Sequence, residues 1–120
     1  MLRIDSANNI TITQGNSAEI DVTPLDADGK PIELQEGDKV IFKVESCRKE
    51  IYKKELTAED WDDEEEALKL ILTPEDTADL PCMRYAYDCL YIFADGSAYT
   101  FIDAAQFKVV KAIAKVGDDP

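Results

Sequence analysis

Residues 72–95 read LTPEDTADLPCMRYAYDCLYIFAD, and the reading of this stretch decides the fold. It divides into the end of a strand, one capped helical turn, a corner and a long aromatic strand. Thr73 is a hydroxyl N-cap, and Pro74 falls at the first helical position, where its missing N–H removes no hydrogen bond. Asp76 completes a short-armed capping box with Thr73, so the spacing predicts a helical turn over Pro74 to Asp79. Pro81 stops that turn and biases Leu80 towards extended backbone. Beyond it Met83, Tyr85, Tyr87, Cys89, Tyr91 and Phe93 alternate with Arg84, Ala86, Asp88, Leu90 and Ile92. One face is apolar and the other half apolar, the pattern of a strand inside a sheet.

The flanking sequence repeats this period. Ile10 and Ile12, then Ala18, Ile20 and Val22, then Val40, Phe42 and Val44, each alternate with other residues over a short run. Ile51 to Leu56 is a weaker strand whose Lys53 and Lys54 suit an edge. Leu68, Leu70 and Leu72 lead into the helical turn. After the aromatic strand, Asp95-Gly96 suits a type I′ hairpin. Tyr99 and Phe101 lie on the returning strand, and Gln106 to Ala114 forms the last one. Asp26 to Gly29 and Gly37-Asp38 are breaks between strands. Seven or eight evenly spaced strands with one short helical turn make an all-β chain, expected as a two-sheet antiparallel β-sandwich. It is read as a single domain over 1–116 with a frayed tail at 117–120. Val22, Val40, Phe42, Leu70, Tyr87 and Cys89 are the expected core.

With 120 residues the chain is long enough for one core, and a hydrophobic content of 45% supports a folded domain. Thirteen basic and 26 acidic residues give a net charge of -13, which disfavours nucleic acid and anionic membranes as partners. Moderate salt is expected to raise the melting temperature by screening that repulsion. A thermal scan at low and moderate ionic strength checks this, and a flat response contradicts it. No apolar run is long enough to span a bilayer, and the N-terminus lacks the apolar core of a signal peptide.

The chemistry of catalysis is sparse. The chain has no histidine, so the usual base of a hydrolytic triad is missing. Close pairs among 26 carboxylates arise by chance and carry no specificity. No glycine loop has a phosphate-binding spacing. The chain is therefore read as non-enzymatic, with no catalytic residues, cofactor or metal site. Asp60 to Glu66 lies in an acidic run around Trp61, read as a solvated loop; a calcium loop is the competing reading, although the glycine of an EF-hand is missing. Cys47, Cys82 and Cys89 do not make an even disulfide framework and are read as reduced core thiols, with a Cys47–Cys89 bridge left open. Tyr85, Tyr87, Tyr91 and Tyr99 either fill the core or line a sugar platform, and alternation favours the core.

Several short motifs together resemble a known family. They are Gln14-Gly15-Asn16-Ser17, the turn from Leu25 to Ile32, Leu72 to Thr77, Tyr85-Ala86-Tyr87-Asp88, the Asp95-Gly96 hairpin and the run from Phe107 to Val110. The chain resembles the N-terminal β-sandwich domain of tailed-phage baseplate upper proteins and small tail-associated proteins. The resemblance implies an immunoglobulin-like fold and a structural role in a phage or prophage particle. Its implied partners are other phage structural proteins or further copies of itself, met in the bacterial cytoplasm during assembly and then in the virion. Baseplate upper proteins continue into helical and stalk regions that do not follow here, so their receptor-binding attachment is not carried over. A carbohydrate-binding or adhesion-like module is the alternative. Separately, Pro81 followed by Tyr85 resembles the corner of fibronectin type III domains, making Thr73, Pro74, Pro81 and Tyr85 the expected structural corner; a plain core role for Tyr85 remains open.

Two outward positions of the aromatic strand are apolar. Leu90 and Ile92, with Ile41 from an earlier strand, are the candidate partner surface. The competing expectation is that Ala58 to Glu66, or the N-terminal arm, folds over them.

Overall fold

The computed structural model describes residues 2–112. Their strands are β1 (Leu2–Ile4), β2 (Ile10–Thr13), β3 (Ala18–Val22), β4 (Lys39–Ser46), β5 (Lys49–Thr57), β6 (Trp61–Asp62), β7 (Ala67–Leu72), β8 (Arg84–Ile92) and β9 (Ala98–Val110). The only α-helix among these residues is α1 (Pro74–Ala78), and a 3₁₀ turn covers Ala58–Asp60. The chain is all-β. Its strands form a six-stranded sheet in the order β1-β2-β9-β8-β4-β5 and a three-stranded sheet in the order β3-β7-β6.

Alternation explains how the two sheets share a core. Val40, Phe42 and Val44 on β4, Tyr85, Tyr87, Cys89 and Tyr91 on β8, and Phe107 and Val109 on β9 turn one way from the larger sheet. Ile20 and Val22 on β3 and Leu68, Leu70 and Leu72 on β7 join the same cluster from the smaller sheet. All six expected core residues (Val22, Val40, Phe42, Leu70, Tyr87 and Cys89) are buried. Met83 is not part of the strand face: it is exposed, and β8 begins at Arg84.

Four expectations need correction. The larger sheet is not wholly antiparallel, because β2 runs parallel to β9, with Ile10 beside Phe107 and Thr13 beside Val110. Nearly the whole chain separates these strands, so no hairpin dictates their relative direction. Secondly, the described residues hold nine strands rather than seven or eight. Leu2–Ile4 and Trp61–Asp62 are additional, and the two strands expected after the Asp95-Gly96 turn are one, β9. That strand passes through a left-handed residue, Ala104 at φ 51°, whose N–H donates to Asp88 Oδ1. The pairing register shifts between Tyr87 and Cys89 at the same place, so an aspartate side chain closes the gap that the bulge leaves in the ladder.

The third correction concerns the hairpin turns. Gly96 is left-handed at φ 94° while Asp95 is not, and the Phe93 N–H donates to the Ser97 carbonyl at 2.8 Å. The loop is a tight turn ending in a left-handed glycine, and type I′ would require both residues left-handed. That geometry occurs instead between β4 and β5, where Cys47 and Arg48 have φ of 53° and 65°. Neither residue suits it. Replacing the pair with Asn-Gly is expected to stabilise the domain by about 1 kcal/mol by relieving left-handed strain. A chemical denaturation midpoint that stays put or falls contradicts this. The fourth is the last strand, which ends at Val110; the positions 113–114 expected in it, and the tail at 117–120, lie outside the described residues.

At α1 the cap forms as the residues require. The Thr73 hydroxyl accepts the Asp76 N–H at 3.2 Å, and Asp76 Oδ2 accepts the Thr73 N–H at 2.9 Å. Thr73→Ala removes one of these two bonds and is expected to cost about 1 kcal/mol. An unchanged unfolding midpoint would show the cap to be energetically silent. The same device recurs at Thr57, whose N–H donates to Asp60 Oδ2 at 2.9 Å and whose hydroxyl caps the 3₁₀ turn.

Candidate interaction surface

Ile41, Leu90 and Ile92 come together on the outward face of the larger sheet. Ile41 stands directly opposite Leu90, and Ile92 lies opposite Lys39 at the next register position on that face. Each is half-buried. Thr100 and Ala98 of β9 flank the two β8 residues, and Glu55 of β5 flanks Ile41. Lys39 and Glu55 form an ion pair at 3.6 Å beside them, a charged rim on the β5 side. Ala58 and Glu59, at the start of the acidic run, line a concavity together with Lys39 and Glu55. The arm before β2 forms β1 at the far end of the sheet, and residues 61–62 of the acidic run join the other sheet.

The tyrosines face inward and use their hydroxyls to hold loops. Tyr85 donates to the Pro81 carbonyl at 2.7 Å, four residues back and next to the helical turn. Tyr87 donates to the Asn8 carbonyl and Tyr91 to Asp38 Oδ2 at 2.7 Å. Tyr99 is half-buried and donates to the Leu25 carbonyl at 3.3 Å. Burial raises the pKa of all four above the ordinary phenol value. Such groups anchor structure and are poorly placed as a sugar-stacking platform.

Asp38 is a buried polar residue that nothing in its local sequence singles out beyond a turn. It is buried, yet its carboxylate accepts the Tyr91 hydroxyl, the Ala94 N–H at 2.8 Å and the Gln35 N–H at 3.1 Å. Burial pushes its pKa up, but the Tyr91, Gln35 and Ala94 hydrogen bonds outweigh that and hold it below the usual carboxylate value. The side chain therefore fastens the loop before β4 to the end of β8.

The acidic run is ordered by its own turns. Asp62 Oδ1 accepts the N–H groups of Glu64 at 2.9 Å and Glu65 at 3.1 Å, and Trp61 pairs with Leu68 across β6 and β7. Among the described residues no three acidic or sulfur side chains are placed to hold a metal ion. Cys89 is buried, which pushes its thiol pKa up to about 12. Cys47 and Cys82 are exposed, so the reading of all three as core thiols fails: one sits on the β4–β5 turn and the other on the corner before β8, where no core covers them. All three are free, and no bridge joins Cys47 to Cys89.

A concavity of about 460 Å³ is lined by Glu36, Asp38, Lys39, Glu55 and Glu59 among others, and it is open and mostly charged. No helix among the described residues is long and apolar enough to cross a membrane. The most exposed large apolar side chains lie away from the candidate surface, at Leu2, Ile4, Leu25, Ile71 and Met83. Of these, Ile71 is an outward residue of β7, whereas Leu2 and Ile4 stand in a run too short to read as a strand. Compared with protein-family models, curated proteins and solved structures, the chain matches none.

Proposed function

We propose that the chain is a non-enzymatic, immunoglobulin-like β-sandwich domain that serves as a structural part of a tailed-phage or prophage particle through protein–protein contacts. The strand order supports the fold. Reading β3, β4, β6, β7, β8 and β9 as strands B, C, D, E, F and G, and β5 as C′, gives the orders G-F-C-C′ and B-E-D of a variable-type domain, with β1 and β2 added beside G. Tyr85 supports it too, since it stands near the start of the F-type strand and its hydroxyl reaches back to Pro81.

The observation that carries the contact role is the half-buried apolar cluster of Ile41, Leu90 and Ile92 on the outward face, rimmed by Lys39 and Glu55. The phage setting rests on the sequence resemblance. Co-expression with the products of the flanking genes tests the reading. One of them is expected to co-purify with the wild type and to be lost with a folded Leu90→Glu variant. Binding to none of them, combined with retention on a glycan array, would overturn it in favour of a carbohydrate-binding module.

A further inference from the structure

Strand β9 is paired with β8 along one side, but on its other side β2 reaches only residues 107–110. Among the described residues no strand pairs with that second side over residues 98–103. The hairpin shows which backbone groups face it. The Phe93 N–H donates to the Ser97 carbonyl, so that pair is a hydrogen-bonded one. Bonded and non-bonded pairs alternate along an antiparallel ladder. The N–H and C=O groups of Ala98 and Thr100, opposite Ile92 and Leu90, therefore point away from β8. They make an open edge. β5, at the end of the same sheet, carries Lys49, Lys53 and Lys54, charges of the kind that blunt an edge, whereas residues 98–103 include neither lysine nor proline.

The two sides of this edge differ in chemistry. Tyr99 stands opposite the buried Tyr91 and so lies on the inner side of the sheet. There a hollow of about 340 Å³ is lined by Asn8, Thr23, Leu25, Tyr99, Phe101 and Ile102. Its walls are fixed: the Tyr99 and Phe101 ring centroids are 6.2 Å apart, and the Tyr99 hydroxyl donates to the Leu25 carbonyl at 3.3 Å. Leu25 itself is 47% exposed. On the outer side, Glu45, Asp88 and Asp103 line a second hollow in which Lys43 is the one basic residue. The inner side is thus apolar and the outer side acidic.

We infer that this edge docks an extended segment of a partner protein in which basic and apolar residues alternate. The segment adds a strand beside residues 98–100, with its backbone bonded to Ala98 and Thr100. Alternation sends its apolar side chains into the inner hollow and its basic ones towards the outer carboxylates. β9 separates this site from the cluster of Ile41, Leu90 and Ile92, so it is a second contact surface that does not rest on the first.

The probe is a fluorescein-labelled heptapeptide alternating lysine and valine, followed by fluorescence anisotropy at moderate salt so that long-range attraction to the acidic chain is screened. Saturable binding to the wild type is expected. N-methyl groups on one alternate set of peptide residues should abolish it and on the other set leave it, since only one set turns its amides to β9. Thr100→Pro removes an N–H that points out of the sheet, so the variant should fold and lose binding. Leu25→Glu, at an exposed position, should weaken binding about tenfold or more. Asp103→Lys should weaken it about two- to fivefold, the range of an exposed ion pair. Leu90→Glu should leave it unchanged, so failure here is separable from failure of the outward-face reading. No saturable binding by the wild type, or equal affinities for the two N-methylated peptides, would overturn the inference.

Discussion

Phe42→Ala is expected to destabilise the domain by about 3–5 kcal/mol, the usual loss for a large aromatic truncated in a core. Phe42 has no solvent exposure and lies at the centre of a ring cluster. Its centroid is 5.1 Å from that of Tyr87 and 6.0 Å from that of Phe107, and those two rings are 6.3 Å apart. These side chains come from β4, β8 and β9, so the cavity would loosen three neighbouring strands together. A domain of this size has a total stability of roughly 5–15 kcal/mol, so the variant should be partly unfolded at physiological temperature. Phe42→Leu fills most of the space and should cost far less. Urea denaturation of both variants checks the ranking, and equal losses would show that the site does not depend on the ring.

The second large effect is expected at Asp38. Asp38→Ala leaves the Tyr91 hydroxyl and the N–H groups of Gln35 and Ala94 without their acceptor. Stranding buried donors costs about 1–3 kcal/mol per group, so a total of about 2–4 kcal/mol is expected, with part relieved where water reaches the loop. Asp38→Asn keeps the shape but provides one acceptor oxygen in place of two, and should fall between the wild type and Ala. The sign of the pH dependence follows from the lowered pKa. The folded state favours the charged form, so this contribution is present above the unfolded carboxylate value and is lost as pH falls through the folded one. Acid titration of the wild type and Asp38→Asn should therefore give curves that converge at low pH. Parallel curves down to the acid transition would contradict the assignment.

Much of the architecture was legible because burial imposes a period of two. β2, β3, β4, β7 and β8 all carry that alternation, and Thr73 with Pro74 marked α1 through backbone chemistry that acts locally. The corner was legible for the same reason: Pro81 and Tyr85 lie four residues apart, and the bond between them is local. What the sequence concealed depends on distant groups. Asp38 reads as one turn residue among others until Tyr91 and Ala94 are brought to it. The direction of β2 relative to β9 is a matter of packing between chain ends. Cys47-Arg48 makes a left-handed turn without the residues that advertise one, held there by the pairing of β4 with β5.

The candidate surface was legible in part. The alternation in β4 and β8 placed Ile41, Leu90 and Ile92 on one outward face, and pairing sets Ile41 against Leu90. Their degree of exposure was not readable, because alternation gives the side of the sheet and not what stands beside each residue on it. β1 was invisible for another reason: three residues are too few to show a period.

The sequence resemblance to phage tail proteins and the apolar cluster on the outward face lead to one direct measurement. Particles purified from an induced culture of the encoding strain can be analysed by quantitative mass spectrometry for this chain. If the proposed phage role holds, the wild-type chain is present as a structural component, in fixed proportion to the tail proteins of the particle. A folded Leu90→Glu variant should be depleted from the particles. Particles that assemble normally and contain none of the wild-type chain would contradict it.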